Sequence, residues 1–358
     1  MDQDPGQNQA YQERLLPNRI EISIIVPVYN NPQDLEDCLS ALLNTSGPDS
    51  ELIVVDDGST DNTASVGERM GVKLLRLAEN SGVAAARNYG ASQARGEILF
   101  FVDADVVVAR GTVERIVKVM QENQNLAAVF GSYDAQPRAR GLVSQYRNLL
   151  HHFVHQNSNP EASTFWAGCG AIRRPVFQKM AGFDAKRFRH PSIEDIELGY
   201  RLRLAGHRIL LDKDLQVTHL KRWNLCSTIR TDVVCRAIPW SRLILETNKL
   251  PDDLNLKYKQ RLSGALVMVA ALIAPIGLVR PELFLVSTFA LLAVLILNRE
   301  LYSFFFRRRG FIFAVGCIPL HLLYYLCSVL SYVYVWTGLR IKDWAIALER
   351  GLSRNGGS

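Results

Sequence analysis

Two aspartates one residue apart follow a short apolar segment, a position where carboxylates can bind a divalent cation. The stretch ILFFVDADVV, residues 98–107, reads as a buried strand that ends at Asp103 and Asp105. Side chains two residues apart on an extended chain point the same way, so both carboxylates can face one point. Mg²⁺ and Mn²⁺ prefer oxygen ligands and commonly bind one or two carboxylates together with substrate phosphates. Aspartate is also common in turns, so the pair alone fits a plain turn as well.

Short apolar runs alternate with helical patterns around this segment, which places the two aspartates at a sheet edge. The pattern predicts strands at 22–28, 52–55, 72–75 and 98–102, with helices between them at 32–43, 64–70 and 83–94. Such alternation predicts an α/β fold with a mainly parallel sheet that helices cover on both faces. Ligands of these sheets bind at the carboxyl ends of the strands.

Polar residues follow three of the predicted strands, so they are expected to converge on one edge. Tyr29 follows the first strand, which contains Pro27, and Asp57 follows the second, while the aspartate pair follows the fourth. No GxGxxG pattern follows the first strand, and the chain has no Walker loop. These absences argue against dinucleotide-dependent dehydrogenases and P-loop kinases.

Four segments in order resemble the family 2 glycosyltransferases: SIIVPVYNN, LIVVDDGSTDNT, ENSGVAAARNYGASQARGEILFFVDAD and IEDIELGYRLRLAGHRI. The resemblance runs from Ile22 to Trp223. It implies a GT-A fold, a Rossmann-like nucleotide-sugar-binding domain. It also implies inverting transfer of a sugar from a nucleoside diphosphate donor, with Mg²⁺ or Mn²⁺ as cofactor. A divalent cation suits this chemistry, because the diphosphate leaving group gains negative charge as the sugar bond breaks.

The resemblance also implies which residues bind the donor. Pro27, Tyr29 and Asp57 are expected to hold the nucleoside, and Arg87 is expected near the base or the phosphates. Asp103 is expected to reach the ribose or the metal, with Asp105 as the main metal ligand.

A second carboxylate pair, Glu194-Asp195, opens the predicted helix IEDIELGYRLRLAG. Direct displacement at the anomeric carbon needs a base for the acceptor hydroxyl, and the family usually supplies it from the aspartate of an ED motif. Asp195 is therefore expected to be the base, with Glu194 and Trp166 on the acceptor side. An aspartate at a helix start can also simply compensate the helix dipole. Since an anionic acceptor needs no base, the ED pair favours a hydroxyl acceptor.

The segment HLKRW, His219–Trp223, resembles the QxxRW motif of cellulose- and hyaluronan-synthase-like members. By this resemblance Arg222 binds the diphosphate and Trp223 stacks on the acceptor sugar. Histidine replaces the glutamine of the motif, which disfavours processive polymer synthesis. His219 fits either a contact to the diphosphate or the metal, or a structural role.

Long uncharged runs in the last hundred residues predict attachment to a membrane. The runs lie at 262–279, 283–297 and 311–336. A bilayer core needs roughly 20 apolar residues as helix, so the second run is short for a crossing. The predicted organisation has five parts: a disordered lead-in at 1–20, a GT-A catalytic domain at 21–224, amphipathic interfacial helices at 225–261, a transmembrane region at 262–337 and a tail at 338–358.

The charge pattern indicates lipid rather than nucleic acid as a partner. The net charge is only +6, and much of it lies in arginines and lysines beside the apolar runs. The polar N-terminus lacks a signal peptide, which predicts a multi-pass inner-membrane protein with a cytoplasmic catalytic domain. Arg307–Arg309 after the second run fits the positive-inside rule if the first two runs form a hairpin. The topology of the C-terminus stays open.

Two further patterns give no metal site. The six cysteines have no CxxC pair and are expected to be reduced thiols. His151 and His155 are four residues apart, as zinc ligands on a helix can be, but no HExxH pattern accompanies them, so an ordinary helix surface is expected.

The sequence therefore predicts a membrane enzyme that transfers a sugar from a donor, a UDP-sugar, to a lipid-linked or membrane-associated glycan acceptor. A processive polysaccharide synthase, a polyprenyl-phosphate glycosyltransferase and an inactive membrane scaffold are the alternatives. The sugar, the acceptor, the linkage and the oligomeric state are not specified by these patterns.

Overall fold

The computed structural model describes residues 20–355, with side chains described up to residue 341. The predicted lead-in lies outside this range apart from its last residue. The chain divides into two compact units. Within the described residues, the first unit comprises 20–131, 164–189 and 198–217, and the second unit comprises 132–163, 190–197 and 218–355.

An eight-stranded sheet forms the centre of the first unit. Its strands are β1 Ile22–Val28, β2 Ser50–Asp56, β3 Lys73–Arg76, β4 Ile98–Val102, β5 Val106–Val108, β6 Leu126–Tyr133, β7 Cys169–Arg173 and β8 Arg208–His219. Their order across the sheet is β3-β2-β1-β4-β7-β6-β8-β5. Strands β1 to β4 pair in parallel, which confirms the four predicted strands and their direction.

The other half of the sheet differs from the expected parallel arrangement. Strand β7 runs antiparallel to both β4 and β6, so the sheet is mixed. Strand–helix alternation fixes the direction of consecutive strands only. The partners β4 and β7 are far apart in sequence, so no local pattern indicated their relative direction.

Helices cover the central parallel strands β1 and β4, because these two strands are predominantly apolar and buried along their whole length. All seven residues of β1 and all five of β4 are buried. The helices in this unit are α1 Pro32–Leu43, α2 Thr63–Arg69, α3 Val83–Ser92, α4 Thr112–Glu122 and α6 Arg174–Lys179. Helix α3 consists largely of small residues and lies close to the sheet: a Cβ added at Gly90 would be 2.6 Å from Ile25 Cγ2.

The second unit is helical. It contains α5 Leu142–Gln156, the first turn of α7 Glu194–Leu204, α8 Leu225–Arg230, a π-helical turn Thr231–Ala237, α9 Ile238–Thr247, a 3₁₀ turn Leu254–Leu256, α10 Tyr258–Ile276, α11 Leu283–Leu297, α12 Arg299–Arg309 and α13 Phe311–Asn355. Helix α10 and residues Phe311–Ile341 of α13 are long and apolar enough to cross a membrane. Helices α11 and α12 meet at a bend of 64° and together count as a possible third span. The predicted tail begins inside α13.

Asn298 lies at the bend between α11 and α12 and is tied to two other helices. Its Nδ2 donates to Ser263 Oγ at 2.9 Å, and its Oδ1 accepts from Tyr325 OH at 2.9 Å. Beyond the bend, Leu301 and Phe305 of α12 join one buried cluster with Tyr146, Leu149 and Cys317. Helix α12 therefore packs on α5.

The expectation of an exposed face for the α5 histidines is wrong. His155 is buried, and the rings of His151 and His155 lie 3.9 Å apart. The ring of Tyr133 stacks beside His151 at 4.3 Å. These contacts hide the histidines because the aromatic residue of β6 covers this face of the helix.

Candidate active site

The ends of β1 and β2 are joined by backbone and side-chain hydrogen bonds. Asp57 N donates to Val28 O at 2.8 Å, and Asn30 N donates to Ser59 Oγ at 2.9 Å. Pro27 is buried in β1, whereas Tyr29 just beyond it is 46% exposed. The tyrosine ring is therefore available to a ligand at this edge.

The carboxylate of Asp57 is buried and holds the loop that precedes α3. Its two oxygens accept from the backbone N–H groups of Ser81, at 2.8 Å, and Gly82, at 2.9 Å. Gly82 has a φ of 92°, and a Cβ there would lie 2.0 Å from Arg189 O, so only glycine fits. Burial raises the pKa of Asp57, although the two hydrogen bonds oppose this effect. Asp57 thus fixes the start of α3 at the sheet edge.

Arg87 on α3 contacts Asp103, the first aspartate of the DAD segment, Asp103–Asp105. Its Nη2 donates to Asp103 Oδ1 at 2.6 Å, and its guanidinium carbon lies 5.5 Å from the centre of the Phe183 ring. The side chain of Arg87 is 4% exposed and that of Asp103 is 31% exposed. A buried cation is thus paired with a carboxylate that is partly accessible.

Asp103 and Asp105 flank a tight turn after β4. Val106 N donates to Asp103 O at 3.0 Å, and the thiol of Cys38 contacts the same oxygen at 3.6 Å. Burial raises the pKa of the Cys38 thiol, and the negative charges of Asp105 and Asp103 raise it further. Asp103 and Asp105 therefore belong to one tight turn at the end of β4.

The carboxylates of the DAD segment suit a metal ion that is also coordinated by the substrate. Among residues 20–341, no group of three or more His, Cys, Asp or Glu side chains could by itself hold a metal ion. Two carboxylates with oxygen-only chemistry match the sites where Mg²⁺ or Mn²⁺ completes its shell with water and substrate phosphates. Asp105 and Asp103 are the residues that would hold it.

Trp166, which was expected on the acceptor side, belongs to the first unit. Gly168 links it to the DAD segment, because this glycine contacts both Trp166 and Asp103. Asp103 N donates to Gly168 O at 3.2 Å. A Cβ added at Gly168 would be 2.6 Å from Trp166 Cε2, so the indole packs directly against this backbone. Sequence spacing alone did not indicate that Trp166 and Asp103 share this support.

Glu194 and Asp195 belong to the second unit, in the first turn of α7. Glu194 is buried, and its Oε2 accepts from Ser192 N at 2.9 Å. Asp195 is half-buried, and its Oδ1 accepts from Ile196 N at 2.8 Å. Glu194 thus braces the preceding loop, and Asp195 accepts a hydrogen bond at the helix start.

Trp223 is held by α5. Its backbone N donates to Ser144 Oγ at 2.8 Å, and two cations approach its ring: Arg147 Cζ at 4.4 Å and Lys221 Nζ at 4.7 Å from the ring centre. Its buried Nε1 has no hydrogen-bond partner within the described part of the chain. The neighbouring Arg222 is exposed.

His219 has a structural environment in the second unit. Its ring stacks on Tyr133 with 4.2 Å between centres and 13° between planes, and its Nδ1 lies 2.9 Å from Asn148 Oδ1. Of the two roles left open by the sequence, these contacts favour the structural one.

Sequence reasoning missed Arg147 and Asp232. Arg147 Nη1 lies 2.6 Å from Asp232 Oδ1, and both side chains are 11% exposed. The cation that contacts Trp223 is thus one half of a buried ion pair. An arginine on the apolar face of a helix was the available signal, since such residues are rarely buried without a partner.

Comparison with known proteins relates the first part of the chain to one family. The model described as glycosyl transferase family 2 matches residues 23–181. The chain carries a glycosyl transferase family 2 domain. Pro27, Tyr29, Asp57, Arg87, Asp103, Asp105 and Trp166 lie inside the matched residues, whereas Glu194, Asp195, Arg222 and Trp223 lie beyond them.

Curated relatives match over part of their length. The glycosyltransferase GlyG of Streptococcus pneumoniae is 34% identical over 117 residues, which cover 31% of this chain and 38% of that protein. The poly-beta-1,6-N-acetyl-D-glucosamine synthase of Staphylococcus epidermidis is 33% identical over 201 residues, 52% of this chain and 47% of that protein. The chain therefore spans less than half the length of these two relatives.

A solved structure shares the fold of this chain. It is the mannosyltransferase PcManGT from Pyrobaculum calidifontis in complex with GDP-Man and Mn²⁺. The TM-score is 0.57 at 19% identity, and the match covers 91% of this chain and 93% of the other. The likeness establishes the GT-A fold with its mixed sheet.

Proposed function

We propose that this protein is a membrane-bound inverting glycosyltransferase. It moves a sugar from a nucleoside diphosphate donor, a UDP-sugar, to a hydroxyl of a lipid-linked or membrane-associated glycan acceptor. The observation that carries the proposal is the Arg87–Asp103 bond beside Asp105 at the end of β4. A buried cation that orients a partly exposed carboxylate next to a second one suits a site for a metal and a diphosphate.

On the donor side, Pro27, Tyr29 and Asp57 hold the nucleoside, and Arg222 binds the diphosphate. Asp105 and Asp103 would hold Mg²⁺ or Mn²⁺, which when bound neutralises charge that develops on the leaving diphosphate. Arg87 keeps Asp103 in one orientation, since its Nη2 bonds one carboxylate oxygen.

On the acceptor side, Asp195 is the base. Its carboxylate takes the proton of the acceptor hydroxyl while the acceptor oxygen forms a bond to the anomeric carbon. The bond from that carbon to the diphosphate oxygen breaks at the same time, and its electron pair leaves with the diphosphate. Attack from the opposite face inverts the configuration. Trp166, Glu194 and Trp223 orient the acceptor.

Hydrolysis of nucleotide sugars tests the donor half of the proposal. Detergent-solubilised protein is incubated with a panel of nucleotide sugars with Mn²⁺ or Mg²⁺, and with EDTA as the control. We expect at least one donor to be bound and slowly hydrolysed in a metal-dependent manner. If no donor is bound or hydrolysed with Mn²⁺ present, the enzyme proposal fails and the inactive membrane scaffold is favoured.

Transfer to native membranes tests the acceptor half and separates the enzyme classes. Labelled donor is supplied to membranes that contain the protein, and the product is extracted and sized. A single added sugar on a lipid-linked glycan is expected. A long polymer would instead favour a processive synthase, the activity named for the Staphylococcus epidermidis relative. A product linked directly to a polyprenyl phosphate would favour the third alternative, in which no base is needed.

We also propose a topology in which the α10–α11 hairpin enters and leaves the membrane from the cytoplasmic side. Lys257 Nζ, just before α10, donates to Asn157 O at the end of α5 at 2.6 Å. Helix α12, just after α11, packs on the same α5. Both ends of the hairpin therefore meet α5, and Arg307–Arg309 on α12 satisfy the positive-inside rule.

In this topology α12 lies along the membrane surface, and α13 crosses to the far side. The turn at Glu282 is then periplasmic, whereas Arg308 is cytoplasmic. In intact cells, a membrane-impermeant maleimide should label Glu282→Cys but not Arg308→Cys until the cells are opened. The reverse labelling pattern would overturn the topology.

A further inference from the structure

A π-helical turn interrupts the helical segment that precedes the membrane spans. Residues Thr231–Ala237 separate α8 from α9, and Ile238 N donates to Val233 O, five residues back. π-helical turns are rare and are frequently found at functional sites. We therefore expect a residue in the sequence to cause the turn, and we expect the turn to affect the residues that contact it.

The cause is Pro239. An α-helical hydrogen bond to Cys235 O would come from the N–H of residue 239, and proline has none. Ser192, from the loop before α7, donates its hydroxyl to this carbonyl: Ser192 Oγ lies 3.0 Å from Cys235 O. The carbonyl that the proline cannot engage thus anchors a side chain from outside the helix.

Ser192 is also fixed to the carboxylate pair that follows it. Its backbone N donates to Glu194 Oε2 at 2.9 Å, and Ile193 between them is fully buried. Glu197 N donates to Ile193 O at 2.8 Å, which starts α7. Asp195 lies inside this braced segment, so its position depends on where Ser192 is held.

The same π-helical turn also supports Trp223. Asp232 in the turn pairs with Arg147, and Arg147 lies over the Trp223 ring at 4.4 Å. The turn and α9 pack against the membrane helix α13. One seven-residue turn therefore connects the loop that bears Asp195, the support of Trp223 and a membrane span.

We infer that Ser192 is a positioning residue for Asp195: its hydroxyl ties the loop that bears the base to the π-helical turn, and through it to the membrane helix. The inference rests on the proposed role of Asp195 as base. It explains how the base is kept at a fixed place relative to the membrane, where a lipid-linked acceptor presents its hydroxyl. Ser192 itself touches no substrate in this scheme.

Steady-state transfer kinetics of Ser192→Ala, with Ser192→Thr as the conservative variant, test the inference. A displacement of about 1 Å at a catalytic group costs up to about a hundredfold in rate, so we expect kcat of Ser192→Ala to fall roughly tenfold or more. The KM for the donor should stay at the wild-type value. The threonine variant keeps a hydroxyl and should recover most of the lost kcat.

Two further variants make the result specific. Ser163→Ala removes another hydroxyl of the second unit, one that contacts Asp253 Oδ2 at 3.2 Å, and should keep wild-type kcat. Pro239→Ala supplies an N–H that competes with Ser192 for Cys235 O, so kcat should fall in the same direction as in Ser192→Ala. Wild-type kcat in Ser192→Ala would overturn the inference. A loss of kcat that Ser192→Thr does not recover would also overturn it.

Asp195→Asn is measured in the same assay to separate this inference from the proposed function. If Asp195→Asn transfers sugar at the wild-type rate, the assignment of the base fails, and the inference fails with it. If Asp195→Asn is inactive while Ser192→Ala is unaffected, only the positioning role is refuted.

Discussion

The guanidinium of Arg87 donates from Nη2 to Oδ1 of Asp103 at 2.6 Å and thereby joins helix α3 to the end of strand β4. The exposed fractions differ, with 4% for the arginine side chain and 31% for the aspartate. The cation is therefore isolated from water, whereas its partner stays partly accessible at the sheet edge. One hydrogen bond neutralises a buried charge and orients a candidate metal ligand.

Replacement of Arg87 by glutamine should reduce both stability and donor affinity. Breaking a fully buried ion pair costs roughly 3–5 kcal/mol. Because Asp103 is partly screened by water, we expect about 2 kcal/mol, measured as a lower melting temperature of the solubilised protein. Donor binding in the presence of Mn²⁺ should weaken, since Asp103 loses its orientation.

The matched control is Arg69→Gln, because Arg69 also pairs with a carboxylate, Glu36, at 3.0 Å, but the two side chains are 58% and 53% exposed. An exposed pair contributes roughly 0–1 kcal/mol, so this variant should melt near the wild type and bind the donor normally. Equal behaviour of the two variants would show that burial of Arg87 has no functional consequence.

Asp105→Asn should abolish metal-dependent donor binding. The substitution keeps the shape of the side chain and removes the charge that attracts a divalent cation, which prefers anionic oxygen ligands. Calorimetric titration with a nucleotide sugar, with and without Mn²⁺, measures the effect. Asp49→Asn, an exposed aspartate in the turn before β2, is the control and should bind as the wild type does. Unchanged metal-dependent binding by Asp105→Asn would remove this residue from the metal site.

The donor edge could be predicted from the sequence because its information is local. Strands β1 and β4 are buried along their whole length, and residues that follow parallel strands lie at one edge of the sheet. The bond between Arg87 and Asp103 was not predicted, since the sequence placed Arg87 only near the base or the phosphates. Burial of Arg87 was not predicted either, since most arginines on a helix are solvated.

The second unit was less predictable, because its key contacts join segments that are distant in sequence. Arg147 and Asp232 are 85 residues apart, and Ser192 is 43 residues from Cys235. Pro239 indicates from the sequence that the helix is irregular at this position. The sequence does not indicate that Ser192 donates to Cys235 O, because this contact joins distant segments. The antiparallel strand β7 belongs to the same class of long-range pairing.

Asp195→Asn should separate donor binding from transfer. Base catalysis contributes typically 10²–10⁴-fold, so transfer should fall by at least about a hundredfold. Donor binding should stay near the wild-type level, because Asp195 is assigned to the acceptor hydroxyl. Glu68→Gln, an exposed residue of α2, serves as a control for the change of charge. Wild-type transfer by Asp195→Asn would refute the role of base.

The stacked histidines of α5 predict how stability depends on pH. Burial lowers the pKa of His151 well below its usual value of 6.5, and nearby positive charges lower it further, from His155, Arg236, His219 and Arg147. The unfolded chain therefore takes up a proton at His151 as the pH falls below 6.5, whereas the folded chain does not. Stability contributed by neutral His151 is present above this pH and is lost progressively below it.

His151→Phe keeps an aromatic ring beside Tyr133 and His155 but cannot be protonated. Melting temperatures of both proteins, measured in steps from pH 8 to pH 5, should show a smaller decrease for the variant. Part of the decrease should remain, because burial also lowers the pKa of His152. The comparison uses the change with pH rather than the absolute melting temperature, so a uniform packing effect of phenylalanine cancels. Identical decreases in the two proteins would show that His151 is protonated equally in the folded and unfolded chains.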